Sequence, residues 1–320
     1  MTRLTERLRE GDRPLLSLEI TPPDRGESID DLFGNIDSLM PMSPEFINVT
    51  YHQAYQDYEE KNGSIIRRPR RKKPGTVGIC AAIKNRFAVE PVAHLICGGF
   101  DRWETEDALI DLHYLGIRNI LALRGDPPPG QSLFRPKKDG YAFAADLVAQ
   151  IHNMNRGIYV DNLDEPFPTS FSIGVAGYPE KHVEAANAEL DMRRLKEKVA
   201  QGADYVVTQM FFTAALYTDF VSRARAAGIT VPIIPGIKPV STVRQLERIP
   251  RTFFVNLPDN LVKGISEART PKEAFARGTD FVADLAKEIL EAGAPGLHLF
   301  TMGKGRATRA VLTKIFGASR

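Results

Sequence analysis

Leu15–Thr21 reads LLSLEIT, and the placing of its one carboxylate frames the rest of the chain. Side chains alternate across a strand. Leu16, Leu18 and Ile20 therefore share one face, and Ser17, Glu19 and Thr21 share the other. A glutamate inside such a run is either a paired structural charge or a functional acid. Working outward, similar apolar runs recur at Phe46–Tyr51 (FINVTY), Val92–Cys97 (VAHLIC), Ile120–Arg124 (ILALR), Phe171–Ala176 (FSIGVA), Tyr205–Phe211 (YVVTQMF), Val231–Ile237 (VPIIPGI) and Gly296–Met302 (GLHLFTM). Helical periodicity fills the gaps. It is clearest over Val183–Ala200, where Leu190, Leu195 and Val199 form a stripe, and it recurs over Ala144–Met154, Phe220–Ala227, Phe281–Ala292 and Arg306–Phe316. An open doubly wound sheet would show the same alternation, but eight strands favour a parallel sheet closed into a (β/α)8 TIM barrel.

The 320 residues suit one such barrel of about 250 residues with insertions, as a single domain over residues 1–320. The inserted segments are residues 55–75, with the basic run RRPRRKK (Arg67–Lys73), and residues 127–140, rich in Pro, Gly and Lys. Both follow strands and so belong to the face that carries active sites. A hydrophobic share of 43% allows a large core, and a net charge of +2 implies no general attraction to nucleic acid or to an anionic membrane. Met1–Arg13 is charged throughout and lacks the apolar core of a signal peptide, so a cytoplasmic setting is expected. Cys80 and Cys97 match no disulfide framework and no zinc spacing, and no metal site is expected.

In a barrel, residues at the C-terminal strand ends are the first candidates for chemistry. Glu19, then Thr50, Tyr51 and His52, then His94, Asp126, Gln209 and His298 supply a polar group from strand after strand. A lone strand histidine is more often a hydrogen-bonded core residue than a catalyst. A convergent set is a candidate pocket. No dinucleotide-type glycine fingerprint, phosphate loop or H-E-x-x-H motif occurs.

These residues lie in blocks that resemble methylenetetrahydrofolate reductases: LSLEITPP (Leu16–Pro23), FINVTY, VAHLIC, GIRNILALRGDPPPG (Gly116–Gly130), AGYPEKH (Ala176–His182), GADYVVTQMFF (Gly202–Phe212) and IIPGIKPVS (Ile233–Ser241). The resemblance runs from about Leu15 to Gly317, and LRGDPPPG is its most diagnostic block. It implies a (β/α)8 barrel that reduces 5,10-methylenetetrahydrofolate to 5-methyltetrahydrofolate, a step of one-carbon metabolism and methionine biosynthesis, using NADH or NADPH. It further implies that Glu19 is the general acid, a role expected to need burial to raise its pKa, and that Asp126 faces the pterin and the reactive carbon. Gln209 would contact both folate and nicotinamide, Gln245 and Lys304 would contact folate, and Thr50 would lie on the nicotinamide side. Lys304 stands where the family often has arginine, keeping the charge without the bidentate fork. Tyr51, His94, Arg124, Gly125, Ala144, Tyr178, His182, Asp191, Arg194 and Lys198 fall at cofactor-side positions.

At the flavin the resemblance is mixed: His94, Arg124, Gly125, Asp126, Ala144, Tyr178, His182, Asp191 and Lys198 match the family's types, and other positions depart. The family commonly relays the hydride through FAD. After Thr50 and Tyr51 it usually has small residues, where this chain has His52 and Gln53. On the helix after AGYPEKH, Arg194 stands for an asparagine, and Glu197 reverses a charge expected near the flavin pyrophosphate. A carboxylate there is repulsive by on the order of 1–4 kcal/mol. Two readings follow. In one, Arg194 makes good the lost charge and FAD still binds. In the other, which is favoured, FAD is absent and the nicotinamide reduces the folate directly. Other classes remain: a metal-dependent or other folate-binding barrel enzyme, or a catalytically silent folate-binding relative. The run Arg67–Lys73 is either a solvated loop or a grip for the anionic tail of a polyglutamylated folate.

Overall fold

A computed structural model describes residues 3–11, 13–61, 63–127, 133–302 and 305–320. In chain order the strands are β1 (Leu15–Ile20), β2 (Phe46–Val49), β3 (Tyr55–Lys61), β4 (Ser64–Arg70), β5 (Glu90–Ile96), β6 (Asn119–Leu123), β7 (Ser172–Gly177), β8 (Tyr205–Thr208), β9 (Ile233–Ile234), β10 (Gly236–Ile237) and β11 (Gly296–Phe300). The helices are α1 (Leu4–Glu10), α2 (Ile29–Asp37), α3 (Thr76–Arg86), α4 (Arg102–Tyr114), α5 (Ala144–Met154), α6 (Ala188–Ala200), α7 (Ala214–Ala226), α8 (Val243–Phe253), α9 (Asp259–Ser266), α10 (Pro271–Glu291) and α11 (Gly305–Phe316).

All the strands but β3 and β4 form one parallel sheet, in the order β10-β11-β1-β2-β5-β6-β7-β8-β9. β9 and β10 are two halves of one segment, parted at Pro235, which lacks the N–H for a ladder bond. One half pairs with β8 and the other with β11, so the cylinder closes on itself. The eight expected strands are thus all present, and the single (β/α)8 barrel is the fold.

Alternation sorts the side chains into two cores. Leu16, Leu18, Ile47, Val49, Ala93, Leu95, Ile120, Ala122, Ile173, Val175, Val206, Ile233, Ile237, Leu297 and Leu299 lie outside the cylinder, buried under the helices. Leu15, Phe46, Val92, Leu121, Tyr205, Val207 and Ile234 fill its lower interior. Leu4 of α1 joins them from below, and its N–H is fixed by Asn119 Oδ1 at 2.7 Å. The Tyr205 ring needs Gly174 on the neighbouring strand, because any Cβ there would strike the ring. Above this apolar floor the lumen turns polar.

Several boundaries differ from the sequence expectation, among them the start of α7 at Ala214 rather than Phe220. The helix expected over Val183–Ala200 begins only at Ala188, because the Asn187 side chain accepts from the Leu190 N–H and caps it there. The helix expected over Phe281–Ala292 extends back to Pro271, where Thr270 caps it and proline takes the first turn. The insertion at 55–75 is not a bare loop. β3 and β4 form an antiparallel hairpin, Tyr55 opposite Arg70 through Lys61 opposite Ser64. In the insertion at 127–140 the described part folds inward at Phe134, which packs against the main core.

Candidate active site

At the top of β1, Glu19 projects into the polar part of the lumen, and 13% of its side chain stays exposed, so a bound molecule can reach it from the mouth. Two histidines face the same oxygen. His298 Nε2 is 3.6 Å from Glu19 Oε2, and His94 Nε2 is 3.9 Å from it. Both rings are buried, as are Ser17 and Asn48 beneath them. Asn48 Nδ2 donates to Ser17 Oγ at 2.7 Å, and Ser17 Oγ lies 3.1 Å from His298 Nδ1. Asn48 Oδ1 lies 3.4 Å from His94 Nε2. The chain of contacts therefore runs from Glu19 through His298, Ser17, Asn48 and His94 back to Glu19.

This circuit orients its own protons. The Asn48 amide oxygen only accepts, so the bond to His94 needs the proton on Nε2. With Ser17 Oγ accepting from Asn48, its hydroxyl hydrogen is free to go to His298 Nδ1, which leaves the other ring proton on Nε2. The His298 N–H is then directed at the Glu19 carboxylate, while the His94 N–H is engaged by Asn48 and its ring lies 3.9 Å from the same oxygen. Burial pushes the His94 imidazole down to about 4, with Glu19 opposing, so His94 is neutral at physiological pH. Burial by itself raises the Glu19 carboxyl. The His298 ring beside it, together with His94 and Lys238, outweighs burial and holds Glu19 below the usual carboxylate range. This reverses the sequence expectation of a carboxyl raised by burial. The physical reason is that the donors stand in the same low-dielectric space as the acid.

Asp126 follows β6 and is exposed, just past Gly125, whose φ of 85° belongs to the left-handed region that glycine tolerates. Asp126 and Glu19 both lie at the C-terminal ends of parallel strands, Glu19 on β1 and Asp126 just after β6, and so at the same end of the barrel. Thr50 Oγ1 meets His52 Nε2 at 3.1 Å, and the Tyr51 ring packs on Phe100 with centroids 5.2 Å apart. Gln209 sits above β8 with its Oε1 accepting from the Met210 N–H.

The cofactor-side residues form a second group beside the mouth. Tyr178 and His182 stack edge to face at 4.8 Å. Asp191 accepts from the His182 N–H, and the Lys198 ammonium donates to the Ala176 carbonyl. Burial pushes Lys198 down to about 8. Arg124 is closed by a bidentate pair to Glu184 at 2.5 and 2.7 Å and lies 5.0 Å from the Phe134 ring centroid. Arg194 lies close enough to help lower Glu184, while Glu197 points to solvent. Ala144 opens α5. Over Gly98 and Gly99 lies Gln53, whose Nε2 donates to the Asp126 carbonyl at 3.0 Å. A Cβ built on Gly98 would stand 2.6 Å from Gln53 Oε1 and 3.5 Å from the Phe134 ring.

Two further residues were expected to contact substrate. Gln245 spends its Oε1 on the start of α8, accepting from the Ser241 and Thr242 N–H groups. Lys304 lies outside the described residues. Sequence alone does not single out Asn48 and Lys238 as members of the lumen; it gives Ser17 only as sharing the face of Glu19, and His298 only as a polar strand residue. Their signal was the alternation itself: Ser17 is two residues from Glu19, Asn48 two from Phe46, and Lys238 two from Gly236. Among the described residues no group of three or more His, Cys, Asp or Glu stands together as a metal cluster, and no helix is long and apolar enough to cross a membrane.

The family model for methylenetetrahydrofolate reductase matches residues 3–316. A rice protein named probable methylenetetrahydrofolate reductase (NADH) is 32% identical over 313 residues, which are 95% of this chain and 48% of that protein. The chain spans about half the length of this and similar plant relatives. The 5,10-methylenetetrahydrofolate reductase of Salmonella typhimurium is 32% identical over 300 residues, 92% of this chain and 88% of the relative. Among solved structures, an uncharacterized protein from Clostridium thermocellum, described as binding two copies of 5-methyl-5,6,7,8-tetrahydrofolic acid, superposes with a TM-score of 0.60 at 14% identity over 98% of this chain and 97% of its own. At that identity the likeness speaks for the fold alone. The match of sequence across nearly the whole length speaks for descent: the chain belongs to the methylenetetrahydrofolate reductase family.

Proposed function

We propose that this protein reduces 5,10-methylenetetrahydrofolate to 5-methyltetrahydrofolate with a reduced nicotinamide, NADH or NADPH, as the hydride source. The observation that carries the reading is Glu19 in the lumen facing two buried imidazoles, with Asp126 following a parallel strand at the same end of the barrel. The step needs Glu19 in its protonated form, which the free protein disfavours; Glu19 then donates that proton to N10 of the folate. The C–N10 bond breaks with its electron pair going to N10, and the N5 lone pair forms an iminium. N10 is an arylamine nitrogen and a weak base, so a strong acid suits it. The His298 ring, with His94 beside it, favours the carboxylate left behind. The Asp126 carboxylate stabilises the iminium electrostatically. Gln209 carries a donor and an acceptor for the pterin edge or the carboxamide. The nicotinamide supplies the hydride to the iminium carbon.

The residues on the cofactor side do not fit a flavin relay, and direct transfer to the folate is the reading adopted here. Support comes from Gln53, which occupies the space over Gly98 and Gly99, and from Arg124, already committed to Glu184. A basic grip on a polyglutamate tail has less to work with, because Arg68 faces Glu59 at 3.6 Å and Lys73 faces Asp24 at 2.7 Å. Comparing mono- and polyglutamylated substrate tests that part. The central test is oxidation of NADH and of NADPH by the purified protein, with methylenetetrahydrofolate and no added flavin. Steady folate-dependent oxidation is expected. No turnover without flavin, and restored turnover with it, would overturn direct transfer.

A further inference from the structure

Lys238 follows β10 in the stretch IIPGIKPVS and is 6% exposed. Its position in the lumen follows from the register. Gly236 pairs with His298, and Ile237 with Leu299. On the next strand Ser17, Leu18 and Glu19 pair with His298, Leu299 and Phe300. One residue beyond Ile237, Lys238 comes level with Phe300 and Glu19. It also shares the face of Gly236, which belongs to the interior, whereas Ile237 belongs to the outer core. Among the described residues Lys238 makes no hydrogen bond and no ion pair. A largely buried lysine with a carboxylate among the charged groups facing it is a candidate functional charge. The charged groups facing it are Glu19 from β1 and Arg248 from α8. Burial, opposed by Glu19, pushes Lys238 down to about 8, so it is still largely a cation at neutral pH.

We propose that Lys238 is a positioning residue for the reduction: its cation, level with Glu19 across the Phe300 strand, sets the pH at which that carboxyl holds its proton. The proposal rests on Glu19 being the acid. The other groups around Glu19 are His298 from β11, His94 from β5, and His52 beyond β2 with Asp126 near it. None of these is altered by a change at Lys238, so the contribution of the lysine can be isolated. A nearby cation favours the ionised carboxylate. Removing it must raise the pH at which Glu19 loses its proton. The reaction needs that proton, so activity would persist to higher pH.

The test is the pH profile of kcat/KM for methylenetetrahydrofolate with NADH in wild type, Lys238→Met, Lys238→Arg and Glu19→Gln. Lys238→Met is expected to move the alkaline limb upward by about one pH unit, and Lys238→Arg to leave it in place. Methionine fits the volume, and replacing an unpaired buried charge by an apolar side chain is commonly tolerated. Lys238→Gln gives the same readout should the methionine variant not fold. A limb that stays put in the charge-free variants overturns the proposal. So does loss of activity at every pH with native circular dichroism, which would make Lys238 the proton donor itself. A rise in KM with an unmoved limb makes it a substrate contact and equally overturns it. Full activity of Glu19→Gln instead sinks the reading of Glu19 as the acid, so the two failures are distinguishable.

Discussion

The Nε2 nitrogen of His298 stands 3.6 Å from the Oε2 oxygen of Glu19, across two neighbouring strands of the barrel. That nitrogen is buried and, among the described residues, lies within hydrogen-bond distance of no acceptor. Its placement makes the carboxylate the stable form of Glu19 once a proton has been delivered. Glu19→Gln keeps the shape and removes the acid. It is expected to lower kcat by about 10²–10⁴-fold, with folate affinity changed by no more than a few-fold. Single-turnover rates and equilibrium titration separate the two quantities. His298→Gln is expected to fall between wild type and Glu19→Gln, with its alkaline limb moved upward, because it loses the ring that lowers Glu19 most.

His94 gives a pH dependence of stability with a definite sign. Its imidazole titrates near the ordinary value in the unfolded chain and at about 4 in the fold. Between those two values the unfolded state binds the extra proton, so stability falls as pH falls. The stabilisation is complete above about 6.5, and it is lost progressively down to about 4. The loss amounts to about 3 kcal/mol at most. Urea midpoints measured across this window are expected to drop, and His94→Gln is expected to flatten that drop. An equally steep drop in the variant would place the titrating group elsewhere.

The strands and the acid were legible because both rest on alternation, a local pattern. LLSLEIT showed Glu19 facing away from the leucines, and the register bears that out. The Glu19 proton affinity was not legible. It depends on His298, Ser17, Asn48 and His94, which come from four strands and meet only when the sheet closes. The hairpin of β3 and β4 was legible in principle, since Asn62-Gly63 is a strong two-residue turn signal, but the basic run drew the reading towards a loop. The late start of α6 was hidden because apolar periodicity says where a helix face lies, not where a cap such as Asn187 stops the backbone. Gln245 carries a capping role that spacing did not announce, its Oε1 accepting from the Thr242 N–H at the start of α8.

Gly174→Ala tests the packing of the barrel floor. The nearest atoms to a new methyl there are the Tyr205 ring atoms, and Tyr205 is fully buried with its hydroxyl donating to the Ile120 carbonyl. Neither strand can withdraw without breaking the ladder between β7 and β8. A loss of about 3 kcal/mol is expected, read as a lower urea midpoint with unchanged slope. Adding Tyr205→Leu, which removes the clashing ring, is expected to recover part of that loss in the double variant. Additive losses would show that the ring is not what the methyl meets.

The flavin question turns on shape and charge at separate places, so it can be split experimentally. Shape is Gln53, held over Gly98 by its bond to the Asp126 carbonyl. Charge is Arg124, whose guanidinium is neutralised by Glu184. A flavin would need the first to move and the second to open. The purified protein is therefore expected to lack a stoichiometric absorption band near about 450 nm. Gln53→Gly alone removes the steric block but leaves Arg124 paired, so it is expected to bind FAD weakly. Gln53→Gly with Glu184→Gln frees both and is expected to bind at least about tenfold more tightly, a difference of about 1.4 kcal/mol. Fluorescence quenching on titration with FAD measures each. A full flavin band in the wild-type protein would mean that Gln53 swings aside and that Arg194 or Lys198 supplies the charge which Arg124 gives to Glu184.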